Sequence, residues 1–218
     1  MRKFLLGFLA GAVLFSVSRV DASNLLEAVQ FPVKLIINGK VTSLDTGHPI
    51  LNYNGSAYVP VRLVGEALHA KVRYSDDDPE KIISINDPRA ETPEDYPEDL
   101  ARANGDVVFI SQAKTYNEDQ LIEFVKKVEQ NSPDWIRIVR YTLEGDPIIQ
   151  LVSYRDGTLN YTVDYSRDSF GSDAIMEAKC SSIVSSNGEL FGKPYTEFTL
   201  TGCSPDRETY ALYKLFGR

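Results

Sequence analysis

The stretch DWIRIVRYTLEGDPIIQLVSYRDGTLNYTVD, residues 134–164, decides the fold. It holds three runs rich in β-branched and aromatic residues, Ile136 to Leu143, Ile148 to Tyr154 and Leu159 to Asp164. Such runs favour strands, because branched and aromatic side chains pack well on a pleated surface. Asp156-Gly157 separates the last two and is a strong two-residue hairpin signal. Glu144-Gly145-Asp146, followed by Pro147, separates the first two. The stretch therefore predicts an antiparallel meander. Side chains alternate across a strand, so Arg137 and Arg140, an odd number of residues apart, belong to opposite faces.

Working outward, Asp106 to Ile110 predicts another strand. Asn117 with Gln120 three residues on suggests a capping box. The helix would run to about Gln130, with Leu121, Ile122, Val125 and Val128 on one side. Beyond the meander, Cys180 to Val184 and Phe198 to Leu200 predict strands. Glu208 to Phe216 predicts a closing helix with Tyr210, Leu212, Tyr213 and Phe216 as its apolar residues. Residues 104–218 thus form an α+β module: an antiparallel meander and two helices.

Residues 87–103, DPRAETPEDYPEDLARA, carry six acidic residues, two basic ones and three prolines, with no hydrophobic period. They predict an extended, solvated linker and a domain boundary. Residues 23–86 predict a small, mostly β module. Val33 to Ile37 meets the turn Asn38-Gly39 and returns through Val41 to Leu44. Ile50 to Tyr53 meets Asn54-Gly55 and returns through Ala57 to Val59. Pro60 suits the start of a short helix whose face is Leu63, Val64, Ala67 and Leu68. Val72 to Tyr74 and Ile82 to Ile85 form a last pair around Ser75 to Glu80.

The N-terminus predicts an export signal over residues 1–22. Arg2 and Lys3 are its basic end, Phe4 to Val17 its uncharged core, and Val20-Asp21-Ala22 its small-residue cleavage motif. The core is shorter than the roughly 20 residues that span a bilayer; an uncleaved anchor is the other reading. The chain carries a formal net charge of −8. That sign argues against nucleic acid and anionic membranes, which need clustered Lys and Arg. The two cysteines, Cys180 and Cys203, follow an export signal and are most simply a disulfide; two buried thiols are the alternative. Two cysteines alone do not make a zinc site.

Two resemblances follow. The stretch INGKVTSLDTGHPILNYNGSAYVPVRLVGEALHAKVRYSDDDPEKIISI, with Tyr58-Val-Pro-Val-Arg62 and Glu66-Ala-Leu-His-Ala-Lys-Val72, resembles the copper amine oxidase N-terminal family, the stalk domains. The resemblance implies a small sheet packed on one helix in proteins exported by Gram-positive bacteria. It does not imply oxidase chemistry, which needs three histidine copper ligands where this chain has only His48 and His69. Residues 104–218 resemble an exported bacterial family of unknown function. That likeness is carried by Asp106-Val-Val108, the run from Ile136 to Ile148, Asp164 through Gly171, and Cys180 with Cys203. It brings no activity with it.

The candidate ligand or ion site is acidic. Glu144 and Asp146 flank a glycine at a strand end, where two carboxylates can share a proton or hold a cation. Asp164, Asp168 and Asp173 form a second cluster whose spacing is not that of an EF-hand. For both, a solvated turn is the plainer reading. Tyr141, Tyr154, Tyr161 and Tyr165 offer either core or an exposed stripe for glycan or peptide. The expectation is a secreted or cell-surface, non-catalytic protein, without metal or cofactor. Its partner would be a cell-wall polymer, a glycan or a surface protein. The competing expectation is an enzyme or enzyme inhibitor built on Glu144, Asp146 and the nearby arginines.

Overall fold

The structure, a computed structural model, describes residues 27–42, 47–76, 81–111, 114–172 and 174–217. The export signal, Asp173 and most of the Ser75-to-Glu80 turn lie outside them. The chain divides into two compact units, one up to Val64 and one from Gly65 onward.

The first unit is a set of short strands: β1 (Val29–Gln30), β2 (Leu35–Ile37), β3 (Lys40–Thr42), β4 (Leu51–Tyr53) and β5 (Ser56–Tyr58). β2 pairs with β3, and β4 with β5, both antiparallel. The predicted Asn-Gly turns join them. Asn38 and Asn54 take φ of 50°, and Gly39 and Gly55 take 76° and 79°. Positive φ at both central residues matches the twist of a hairpin, which is why Asn-Gly encodes it. Helix α1 (Val61–Ala67) follows Pro60 as expected.

The second unit is built on a six-stranded sheet. Its strands are β8 (Val107–Ser111), β9 (Lys114–Tyr116), β10 (Asp134–Tyr141), β11 (Pro147–Arg155), β12 (Thr158–Asp164) and β13 (Ile175–Cys180), in the order β13-β12-β11-β10-β8-β9. The meander β10-β11-β12 stands where the sequence places it. Helix α3 (Asp119–Glu129) crosses from β9 to β10, so β8 lies parallel to β10. A second sheet is made of β14 (Ser182–Leu190), β15 (Lys193–Thr201) and β16 (Thr209–Phe216). A separate hairpin, β6 (Lys71–Ser75) with β7 (Ile82–Asn86), precedes helix α2 (Glu98–Ala103).

The strand alternation gives the large sheet two cores. One face carries Ile136, Ile138, Val152, Leu159, Tyr161 and Val163, and is covered by Leu121 and Phe124 of α3 and by Leu200, Leu212 and Tyr213 of the second sheet. The other carries Val108, Val139 and Ile149, covered by Tyr96 and Ala101. Truncating a fully buried aliphatic such as Leu200 or Leu212 to alanine costs about 2–5 kcal/mol.

Three expectations are corrected. The closing helix at Glu208–Phe216 is strand β16. A bulge opposite Phe198 and Thr199 inserts Leu212, so consecutive residues Leu212 and Tyr213 are both buried; that doubled apolar position imitates a helical period. The acidic linker is a strap across the second face of the sheet: Tyr96 is 2 % exposed and Ala101 fully buried. A single aromatic whose hydroxyl finds partners anchors a segment without any period. Asn117 does not cap α3 with its side chain. It takes φ of 56° and its Nδ2 donates to the carbonyls of Arg102 and Asp106, at 3.0 and 2.8 Å. The fold is accordingly α+β in its mix, but mostly β by content.

Candidate functional site

The predicted acidic residues gather at one end of the large sheet. Asp146 begins the return into β11 and Asp164 ends β12, and Ile149 is paired with Asp164 in the ladder. Their carboxylates are occupied by their own loops. The amide of Ser169 donates to Asp146 Oδ2 at 2.9 Å, so this hydrogen bond clips the two loops together. It also holds the Asp146 carboxyl below the usual carboxylate range. Asp164 accepts from the amide and hydroxyl of Ser166 and from Arg167. Burial raises the Asp164 carboxyl, but these donors outweigh it and the net direction is down. Asp168 accepts from the amide of Phe170 at 3.1 Å. Glu144 stands exposed at the hairpin tip. The cluster is a set of self-satisfied turns, and among the described residues no three acidic, histidine or cysteine side chains are placed to hold a metal.

Cys180 and Cys203 are bonded, with an S–S distance of 2.07 Å. The bridge ties the end of β13, in the large sheet, to the chain leaving β15, in the small one. Reciprocal hydrogen bonds between Lys179 and Ser204, both 3.0 Å, lie beside it.

The tyrosines form no exposed stripe. Tyr154 and Tyr161 are buried, and Tyr141 and Tyr165 half-buried. Tyr141 donates to the carbonyl of Tyr96 at 2.8 Å, which pins the strap.

Arg137 and Arg140 do face opposite sides. Arg137 is buried under the strap. Its Nε donates to Asp106 Oδ2 at 2.8 Å and its Nη2 to the Tyr96 hydroxyl at 3.0 Å. Tyr96 in turn donates to Asp106 and accepts from Asn104. Burial pushes the Asp106 carboxyl up, and the Arg137 guanidinium and its hydrogen bonds work against that rise. Burial likewise pushes the Tyr96 hydroxyl up. Such a buried network, in which Asp106, Tyr96, Asn104 and Arg137 answer one another, is structural in character.

Arg140 sits differently. Its guanidinium lies beside the edge-to-face pair Phe109 and Tyr213, 5.7 and 5.8 Å from their centroids. Nη2 donates to the carbonyl of Leu212 at 2.7 Å. Arg140 Nε is buried with no hydrogen-bond partner among the described residues, and it makes no ion pair there. Gln150 is 6 % exposed, and its Oε1 is buried without a partner in the same way. Ladder pairing sets Arg140 against Ile148, so Gln150 is its diagonal neighbour on the same face. Both line one cavity of about 290 Å³ between the two sheets. Its walls include Leu190, Ala211, Tyr213 and Phe216, and the pair Glu197–Lys214, 3.6 Å apart, stands at it.

A concave, mainly apolar space with a few convergent polar atoms is the ordinary form of a small-ligand site. Unpaired buried polar atoms cost free energy unless something meets them. The sequence reading missed this site. Its signal was present: Arg140 continues the apolar face Ile136-Ile138, and Gln150 interrupts Ile148 and Val152.

A disulfide-tied, two-sheet α+β unit with a cavity between its sheets is the class this molecule defines. A domain of unknown function, DUF4362, is found at residues 104–192. The match begins just before β8 and ends in the turn after β14, so it includes Arg140 and Gln150 but not β15, β16 or Cys203. No copper amine oxidase N-terminal match accompanies it over residues 23–86. No curated protein and no solved structure matches the chain.

Proposed function

We propose that the protein is an extracytoplasmic, non-catalytic binding protein of a Gram-positive-type envelope, with its N-terminal unit, up to Val64, as a stalk-like module and the cavity between the sheets as its ligand site. The cavity carries this reading: Arg140 and Gln150 line it together with aromatic and aliphatic side chains and the pair Glu197–Lys214. The disulfide is compatible with an oxidising compartment. The expected partner is a cell-wall polymer, a glycan or a surface protein. The acidic turn at Glu144 and Asp146 lends no support to the enzymatic alternative, because Asp146 is spent on Ser169.

The test is retention of tagged residues 23–218 on purified cell wall and on intact cells, with and without calcium. Retention that falls several-fold in Arg140→Leu is expected. No retention in any condition, or retention equal in the variant, overturns the proposal.

A further inference from the structure

The second sheet ends in an undefended edge. β14 is its outer strand, 9 residues long, and it pairs with β15 without a break in register. The turn Phe191-Gly192 takes φ of 53° and 75°, the geometry of a two-residue hairpin. In such a hairpin the flanking pair, Leu190 and Lys193, exchanges both backbone bonds, and the alternation runs back from there. Gly188, Ser186 and Val184 therefore turn their amides and carbonyls to β15, while Glu189, Asn187, Ser185 and Ile183 turn theirs outward. Pro194, the ladder partner of Glu189, agrees: its carbonyl accepts from Gly217 at 2.9 Å, on the β16 side. Val184, Ser185, Ser186, Asn187 and Glu189 are exposed, and among the described residues no backbone group meets the outward row. Edges are normally blunted by lysine, proline or a bulge. β14, SIVSSNGEL, has none of these, whereas β16, the other edge of this sheet, is bulged and carries Lys214.

We infer that β14 pairs with β14 of a second copy of this chain, antiparallel about a two-fold axis at Ser186, so that the two second sheets become one. The inference does not depend on the cavity. The register that engages the whole strand sets Ile183 against Glu189 and Ser185 against Asn187, on both sides of the axis. These are the outward residues, so each pair exchanges two backbone bonds, about eight in all. The side chains fit that symmetry. Glu189, the one charge of the strand, meets Ile183 and not its own copy, so like charges are not opposed. Val184, 47 % exposed, meets Gly188, where the Tyr195 ring occupies the space a Cβ would take. Valine against an aromatic ring is a favourable cross-strand contact. A foreign peptide fits less well. Strand addition reads sequence through side-chain pockets beside the edge, and Ser185, Ser186 and Asn187 are short, polar and exposed.

The experiment is sedimentation equilibrium of residues 23–218 at concentrations rising to millimolar. A reversible dimer is expected, tighter at high salt, because screening relieves the repulsion between two acidic copies. Ser185→Pro and Asn187→Pro each remove an outward amide and leave the bonds to β15 in place, as proline at a strand edge does. Each should weaken the dimer by about tenfold or more. Ser186→Lys leaves the backbone untouched and sets like charges directly opposite each other on the axis, so it should weaken the dimer too, even where a proline variant fails to fold. In Ser186→Cys the two thiols face each other with Cα atoms about 4.5 Å apart and should oxidise to a covalent dimer. Glu189→Cys, set against Ile183, should not. A dimer that Ser186→Lys and the folded proline variants leave unchanged has its interface elsewhere and overturns the inference. So does a chain that stays monomeric throughout; if an alternating Thr-Val peptide then shifts the β14 amides in NMR spectra, the edge belongs to a foreign strand.

Discussion

Arg137 and Arg140 stand three residues apart on β10 and face opposite sides of one sheet, yet their surroundings share almost nothing. Arg137 meets a carboxylate, a phenol and two aromatic rings, Tyr96 and Trp135, under the strap. Arg140 meets two rings and one carbonyl, and keeps a buried donor without a partner. The first is an anchor whose charge is internally answered. The second is a charge set beside two rings at the wall of a cavity. Residue type and strand position are the same; the covering element makes the difference. The strap brings Tyr96 and the start of β8 brings Asp106 to one face, whereas on the other β8 brings the Phe109 ring and the second sheet the Tyr213 ring and the Leu212 carbonyl, with Glu197 already paired to Lys214.

The comparison is broken or sharpened first at Arg137. Arg137→Leu leaves Asp106 buried at 3 % exposure without its cation. Loss of one partner of a buried pair costs about 3–5 kcal/mol. Urea unfolding should show it, and a loss under 1 kcal/mol would mean the strap does not depend on the pair. Reduction of Cys180–Cys203 comes next. A loop of 23 residues' separation corresponds to about 3 kcal/mol in the chain-entropy model. Because the bridge ties the two sheets on the Arg140 side, amide exchange should quicken in β13 and β15 before it does in α2. Arg140→Leu is third: a stability change within about 1 kcal/mol, since a partly buried hydrogen bond and a stacked cation are lost while an orphan donor disappears. A cost equal to that of Arg137→Leu would erase the distinction between anchor and site.

The smallest effect concerns pH. Asp164 is depressed in the folded state, so its contribution is present above the ordinary aspartate value of about 3.9 and is lost as pH falls through the folded value. Arg167, paired with Asp164, also donates to the carbonyl and hydroxyl of Thr92 in the strap. Acid titration followed by NMR should therefore loosen residues near Thr92 along with Ser166, with a midpoint below the ordinary aspartate value. A midpoint at or above that value would remove the link.

Much of the fold was legible because its signals are local. The meander came from β-branched runs and the Asp-Gly turn, where Asp156 and Gly157 take φ of 51° and 78°. Helix α3 came from its apolar spacing, though its N-terminus did not: Asn117 spends its side chain on carbonyls eleven and fifteen residues back. The hairpin β6–β7, read with the N-terminal module, belongs to the second unit. Lys71 meets Asp134 at 3.1 Å and lies over Trp135, and Asn86 donates to the carbonyl of Asn104. Nothing in a short alternating strand says which neighbour it will join.

What the sequence determined by itself was periodicity, turn type, the opposite facing of Arg137 and Arg140, and the pairing of its two cysteines. Each depends on backbone geometry over a few residues, or on there being only one possible pair. Only the tertiary structure decided that the acidic segment is a strap, that Thr209 to Phe216 is a bulged strand, and that Gln150 and Arg140 share a cavity. Those outcomes depend on which distant element covers each face, because burial, and whether a polar atom finds a partner, is a property of both surfaces that meet.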